Sequence, residues 1–329
     1  MRAARVIAWL VAVPLYVWSA AALALFPTWA PPVRWVALGL LLGAGAWTIR
    51  RVSAPRRAAS ILAAGLTVLA LWQTVRPDGQ RPWAVGQERL PIVRFDGPRV
   101  EIENVRSARW QSPGEADVRW ETRRYDLRDL RTVDLVLEPF GEWRGLAHVF
   151  VTFGFANGEH LGVSIESRRE RDEIYSPLRG AFRAYELLYV VGDERDLIGL
   201  RANVRRHPVY VFPMRAAPDD VQALLVSMLT RADRLGRDPA FYNTVTSTCA
   251  TELLRHVNAV RDRDISPLDW RMAIPGYADE LAWELGLVDH AGTMEEARQR
   301  FLINARSAGH DRMSGPDWSR QIRGGSSVP

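Results

Sequence analysis

Hydrophobic positions are distributed very unevenly along the chain. Three apolar runs crowd its first quarter, at residues 6–26, 36–49 and 58–75, and none contains a charged residue. A helix needs about 20 residues to cross a bilayer core of roughly 30 Å. The first and third runs meet that length, and the second does so as a span over 33–49, with Trp35 and Trp47 at the two interfaces. Spans at about 6–26, 33–49 and 58–75 are therefore expected. Arg76, Pro77, Asp78 and Gly79 end the third, a helix stop followed by a turn. A cleaved leader is the rival reading of the first span, and the two apolar runs behind it argue for an anchor. Arg50, Arg51, Arg56 and Arg57 fill the loop between the second and third spans, whereas the first loop holds one arginine. That bias puts the N-terminus in the cytoplasm, so three crossings deliver everything after residue 78 to the periplasm.

Beyond the spans the period of the pattern changes. Residues 83–132 are polar and rich in Arg and Trp, with short alternating stretches at 100–105 and 118–120 that read as edge strands and loops. Apolar β-branched runs follow at 133–137, 148–155, 161–165, 187–191 and 209–212, the expected sheet. Asn157-Gly158 between two of them signals a two-residue type I′ hairpin, which needs positive φ at both positions. After Pro218 the repeat becomes helical: Val221, Leu224, Leu225, Met228 and Leu229 share a stripe behind Asp219 and Asp220. Further helices are expected over 250–260, 278–285 and 293–305. The predicted layout is a transmembrane region at 1–78, an α+β domain at 79–315, and a mobile polar tail at 316–329.

Composition narrows the chemistry. Net charge is +5 with every basic residue an arginine, but the arginines alternate with acids, as in 119–131. That pattern is a solvated face, not a phosphate track, so no nucleic acid is expected. A single cysteine cannot form an internal disulfide or a structural zinc site, and no His pair has metal-binding helical spacing. No metal and no cofactor are expected, since no glycine-rich phosphate loop follows a strand.

Cys249 stands between the polar stretch 242–248 and an apolar helical stripe, so it opens a helix. Backbone N–H groups and the positive dipole end favour a thiolate there and can hold an oxyanion. A buried, inert thiol is the bland alternative. Of six histidines, only His148 and His160 flank the central hairpin. His207, His256, His290 and His310 read as ordinary surface or internally satisfied residues.

Several motifs, in this order, carry a resemblance: Trp120-Glu-Thr-Arg-Arg-Tyr-Asp-Leu, Ala147-His-Val-Phe-Val-Thr-Phe-Gly-Phe, Ser164-Ile-Glu-Ser-Arg-Arg-Glu, Tyr175-Ser-Pro-Leu-Arg-Gly, Tyr185-Glu-Leu-Leu-Tyr-Val-Val-Gly-Asp and Tyr242-Asn-Thr-Val-Thr-Ser-Thr-Cys-Ala-Thr. Together they resemble the Lnb N-terminal periplasmic domain family over about 83–287. The resemblance implies a circularly permuted, NlpC/P60-like papain fold, with Cys249 as nucleophile and His148 as its base. It implies a thiol acyltransferase of the lipoprotein N-acyltransferase type, with a phospholipid acyl donor, membrane-anchored lipoproteins as acceptors, and the inner membrane as its location. A cell-wall peptidase or amidase, and a non-catalytic envelope module, are the alternatives. The residues before the cysteine, Thr246-Ser247-Thr248, depart from the family's Asn-Asn pair.

The third catalytic member is open between Glu166 and His160. A two-residue hairpin turn would set His148 across from Ser167, whereas a bulge at Gly154 would bring Glu166 opposite, which is the preferred reading. Asn243, Thr251, Arg168 and Tyr185, which lie within the motifs, are expected at the substrate.

Overall fold

A computed structural model describes residues 2–261, 264–289, 292–309 and 312–325. His290 and His310 lie outside the described residues. The chain divides into two compact units, Met1–Asp78 with Tyr175–Ala184, and Gly79–Ile174 with Tyr185–Pro329.

In the first unit, α1 (Arg2–Ala24), α2 (Pro31–Arg51) and α3 (Ala54–Trp72) are three helices long and apolar enough to cross a membrane. Prolines open α2 and α3, where a missing N–H costs nothing, and Arg50 and Arg51 close α2 against its negative dipole end. Ser19 donates to the Leu15 carbonyl, so its hydroxyl is satisfied within the helix at 2.7 Å. The segment Tyr175–Ala184, expected in the outer domain, groups with these helices instead. It contains the short α4 (Pro177–Ala181). Phe182 stacks on Trp18 and meets Trp72 edge-on, at 6.4 and 6.0 Å between ring centres. Arg183 donates to the Trp72 carbonyl at the end of α3, at 2.9 Å, beside the Val75 amide that donates there too.

The second unit is a mixed α+β domain on an eight-stranded sheet. Its strands are β1 (Ile92–Asp96), β2 (Arg99–Ser112), β3 (Glu115–Asp126), β4 (Leu130–Pro139), β5 (Ala147–Phe155), β6 (His160–Arg168), β7 (Glu186–Asp193) and β8 (Tyr210–Pro213). The order is β1-β2-β7-β6-β5-β4-β8, with β3 added on β2. Every pairing is antiparallel except β2 with β7, which meet in parallel at Arg106 and Gly192. The polar region 83–132 thus contributes three strands, two of them long, in place of the expected short edge pieces. Arg124 pairs with Glu101 across the sheet, and buried Arg106 pairs with Asp196 of the helix after β7 at 2.8 Å.

Helices cover both faces. They are α5 (Glu194–Gly199), which runs on into a π-helical turn at Leu200–Val204, α6 (Pro218–Arg237), α7 (Cys249–Val260), α8 (Trp270–Ala273), α9 (Ala278–Glu284), α10 (Met294–Phe301) and α11 (Gly315–Ile322). One face buries Val136, Phe150, Leu188 and Val190 under α5, the π turn and α11. On the opposite face His256 of α7 bonds to Tyr189, which alternates with Leu188 along β7, so α7 lies on that side. The expected mobile tail is corrected over 316–322, because Trp318 and Ile322 are fully buried there and Trp318 Nε1 donates to Ser307. Beyond the helix, Arg323 bridges Asp134 and Glu194 at 2.6 Å each.

The β5–β6 hairpin differs from its expected form. Gly158 has φ +83°, but Asn157 does not adopt positive φ. Gly158 N–H donates to the Phe155 carbonyl and Phe155 N–H to Glu159, both at 2.9 Å. The loop therefore holds three residues, a turn followed by a left-handed glycine. The extra residue moves the register by one, so Gly154 faces His160 with no bulge in the strand. A side chain at position 154 would strike Thr132 and the His160 ring at 2.4 and 2.8 Å, which is why glycine suits the position.

Candidate active site

Because the loop sets the register, it also sets what faces His148. Pairing of β5 with β6 runs from Gly154–His160 to Val151–Val163 and stops there. Carried on, the same register would level Phe150 with Ser164 and His148 with Glu166, but the two strands part before reaching them. β6 keeps its other partner throughout: Ser164, Glu166 and Arg168 remain paired to β7. The result is a split in the sheet, flanked by His148 on one side and by Ser164 and Glu166 on the other.

Cys249 fills that split. Phe155 turns both its N–H and C=O toward β6, so by strand alternation Val149 does likewise. With the ladder ended, the Val149 amide is free, and the Cys249 sulfur takes it as a hydrogen-bond partner together with the helix-start amides of Ala250 and Cys249 itself. A capping box fixes this end of α7: Thr251 N–H donates to Thr248 Oγ1 at 3.2 Å, and Thr248 N–H to Thr251 Oγ1 at 2.8 Å. Just upstream, Asn243 Oδ1 accepts from Val245 and Thr246, tying the approach to the helix into a turn.

The imidazole of His148 stands within hydrogen-bond distance of Ser164 Oγ, 2.7 Å from Nε2, and Ser164 Oγ donates to Glu166 Oε1 at 2.9 Å. Arg201, from the π turn, holds Glu166 at 2.9 Å and forms an ion pair with Glu138 at 2.7 Å. Glu138 sits level with His148 on β4 and also takes His207 at 2.8 Å. Burying two carboxylates beside one another is costly, and Arg201, itself 2% exposed, is the shared counter-charge. A π turn at such a place is a recurrent device for aiming a side chain.

These surroundings set the resting protonation states. Burial pushes the Cys249 thiol up to about 11, against the pull of the amides. Burial, then the charge of Arg201, pushes His148 down to about 4. Burial works against ionisation of Glu166, but the positive groups around it, Arg201 first, together more than offset it and hold the carboxyl well below its usual range. The group at rest is a neutral thiol, a neutral imidazole and a carboxylate. The thiol and the imidazole approach the split from opposite faces of the sheet, and among the described residues the partner of Nε2 is Ser164, not sulfur.

The pKa shifts fix how stability changes with pH. His148 and His256 both fall to about 4 from an ordinary 6.5, each through burial first. Between those values the unfolded chain binds protons that the folded one refuses, so stability falls as pH drops from 6.5 toward 4. Glu138, held at about 2 because Arg201, His207 and Arg205 together outweigh its burial, extends the loss below 4.5. Thermal unfolding followed by circular dichroism at pH 7, 5.5 and 4.5 should show a stepwise fall in Tm. A Tm that stays level from 7 to 5 would show that these histidines protonate in the folded protein.

The other expected site residues have different surroundings. His160 sits at the turn end of the hairpin, six positions or about 20 Å along the strand from the level of His148. Its Nδ1 is 3.2 Å from the Gly158 carbonyl, and its charged neighbours are Glu194, Arg323 and Asp134, so the structure does not bring it to Cys249. Arg168 is buried, stacked over Trp83 at 4.0 Å and donating to the Gln87 and Glu88 carbonyls at 2.9 Å. Tyr185 is buried and donates to Ile174 at 3.1 Å. Both brace loops within the fold. Thr251 and Asn243 shape the start of α7 as described. His256 is held between Tyr189 and Ser227, at 2.8 Å from each, as its expected satisfied role implies. Among the described residues no cluster has the makings of a metal site.

Sequence reading missed Ser164, Arg201 and Glu138. Ser164 carried a usable signal, since it precedes Glu166 by two and so shares its strand face. Arg201 carried a weaker one, an arginine inside an apolar run from Leu197 to Ala202.

A model of the Lnb N-terminal periplasmic domain family matches residues 116–276, just under half of the chain. The match runs from the second residue of β3 through β8 and contains both Cys249 and His148. This stretch is similar to that family. No curated protein and no solved structure matches the chain. With three spans ahead of the matched stretch, the protein is a multi-pass inner-membrane protein whose large domain lies in the periplasm. β1, β2 and the helices after Tyr277 extend the sheet and its cover beyond the matched residues.

Proposed function

We propose that the domain is a cysteine-dependent acyltransferase that takes a fatty acyl chain from phospholipid onto Cys249 and passes it to the N-terminal amine of a lipoprotein. The observation that carries the reading is the seat of Cys249, a thiol at a helix N-terminus, bonded to backbone amides in a split of the sheet that His148 and the Ser164–Glu166 pair flank. The family name fits it, because Lnb-type proteins are tied to lipoprotein acylation. Three spans keep both lipid substrates within reach.

In the first half, His148 takes the thiol proton as sulfur attacks the ester carbonyl, and the amides of the α7 start hold the oxyanion. The carbon–oxygen bond breaks, and the departing lysophospholipid oxygen takes the proton back from His148. In the second half the lipoprotein α-amine attacks the thioester. His148 accepts its proton and returns it to the leaving Cys249 sulfur, so the enzyme is restored. Glu166, acting through Ser164, orients the imidazole and favours its charged form in transit.

The test is the intact mass of the purified protein after incubation with phospholipid nanodiscs. A fatty-acyl increment on the wild type and none on Cys249→Ala is the expected result. An unmodified wild-type thiol in the presence of intact phospholipid would overturn the reading and leave peptide hydrolysis or simple binding.

A further inference from the structure

Directly beside the thiol the second unit carries a groove whose fourteen lining residues are all apolar. Counting its open mouth, it encloses about 510 Å³. Two of its walls are the residues that hold the sulfur: the amides of Val149 and Ala250 bond to Cys249, and their side chains line the groove. From there it runs along α7 past Leu253 and Leu254 to Leu281 and Ala282 of α9. Between Ile265 and Met272, which close one wall, the chain exposes Leu268 and Trp270, by 92% and 54%. Most of the lining side chains are buried, and the groove opens at exposed Leu285, a concave apolar shape that suits an apolar ligand.

We propose that this groove holds the acyl chain esterified to Cys249, and the inference rests on the acyl-transfer reading. The occupant follows from the lining. An extended peptide would need backbone donors or acceptors along its course, and the lining offers only hydrocarbon and the Met214 and Met272 thioethers. An alkyl chain needs none, and methionine adapts to chains of differing shape. Continuity fixes the direction: a carbonyl carbon bonded to sulfur lies between the Val149 and Ala250 amides, so its chain leaves along the side chains of those residues. Ala250, Ala278 and Ala282 keep the floor low enough for the chain to lie on it.

Two measurements test this and separate its failure from that of the thioester. First, Cys249→Ala protein in nanodiscs containing a phosphatidylcholine with a diazirine near the end of one chain is irradiated, digested and mapped. Adducts on the α7 and α9 peptides support the groove, and adducts confined to the three N-terminal helices overturn it, whether or not Cys249 is ever acylated. Second, the wild type and Ala282→Trp are offered an equal mixture of C10, C14 and C18 phospholipids, and the chains on Cys249 are weighed. A shift toward C10 of fivefold or more in the variant supports the groove, while an unchanged profile overturns it and leaves the thioester standing. If no chain appears on Cys249 but the α7 and α9 adducts form, the groove stands and the thioester falls.

Discussion

Replacing His148 with alanine should slow acylation of Cys249 by about 10²- to 10⁴-fold, the usual contribution of a positioned general base. The size follows from the state of the thiol. With Cys249 pushed up to about 11, only about one molecule in 10⁴ carries a thiolate at pH 7, so attack depends on a base that accepts the proton as the bond forms. His148 suits that task because burial and Arg201 keep it neutral down to about pH 4. The variant should therefore show a distinctive pH profile. Its residual rate should climb about tenfold per pH unit between 7 and 9, since hydroxide must now supply the thiolate, while the wild-type rate stays nearly level. Acyl mass gain against time at pH 7, 8 and 9 decides the matter. A variant within threefold of wild type at pH 7 would remove His148 from the chemistry.

Arg201→Met should destabilise the periplasmic domain by about 3–5 kcal/mol, the cost of breaking a buried ion pair from one side. Among the described residues the guanidinium is the one ion-pair partner of Glu166, at 2.9 Å, whereas Glu138 retains Arg205 and His207. The stranded charge is thus mainly that of Glu166, and the second substitution Glu166→Gln should recover a good part of the loss. Urea unfolding of the three proteins, followed by tryptophan fluorescence, provides the comparison. Equal stability of the wild type and Arg201→Met would mean that water or another cation replaces the arginine. The double variant separates structure from chemistry as well: on the proposed mechanism it should be folded yet slow, because it lacks the Glu166 carboxylate.

The outline of this chain was legible because its signals are local. Three uncharged runs with arginines between the second and third specify spans whatever the rest of the chain does. The type of most elements was legible for the same reason, since the two-residue and 3.6-residue periods are properties of neighbours. Thus α6 begins at Pro218 behind a stripe read directly from Val221 to Leu229. The long strands β2 and β3 were understated because their stability comes from partners, such as the row of Arg94, Glu101 and Arg124 across β1, β2 and β3, that no single strand displays. The helix at 315–322 was missed for a similar reason: its polar text conceals one tryptophan and one isoleucine that a distant cluster buries.

The site divides along the same line. Sequence by itself determined that a lone cysteine opens a helix and that a histidine starts a strand, because capping and alternation depend on a few adjacent residues. It also supplied the order of motifs by which the domain's family is recognised. Tertiary structure alone decided what those residues touch. One residue more in the hairpin loop turned the register so that Glu166, not Ser167, falls level with His148. The parting of β5 from β6 freed the Val149 amide for sulfur, and Arg201 entered from a turn some fifty residues before the cysteine. Register and counter-charge are sums over many distant contacts, and a difference of one residue, or of a few kcal/mol, settles them only when the whole chain is in place.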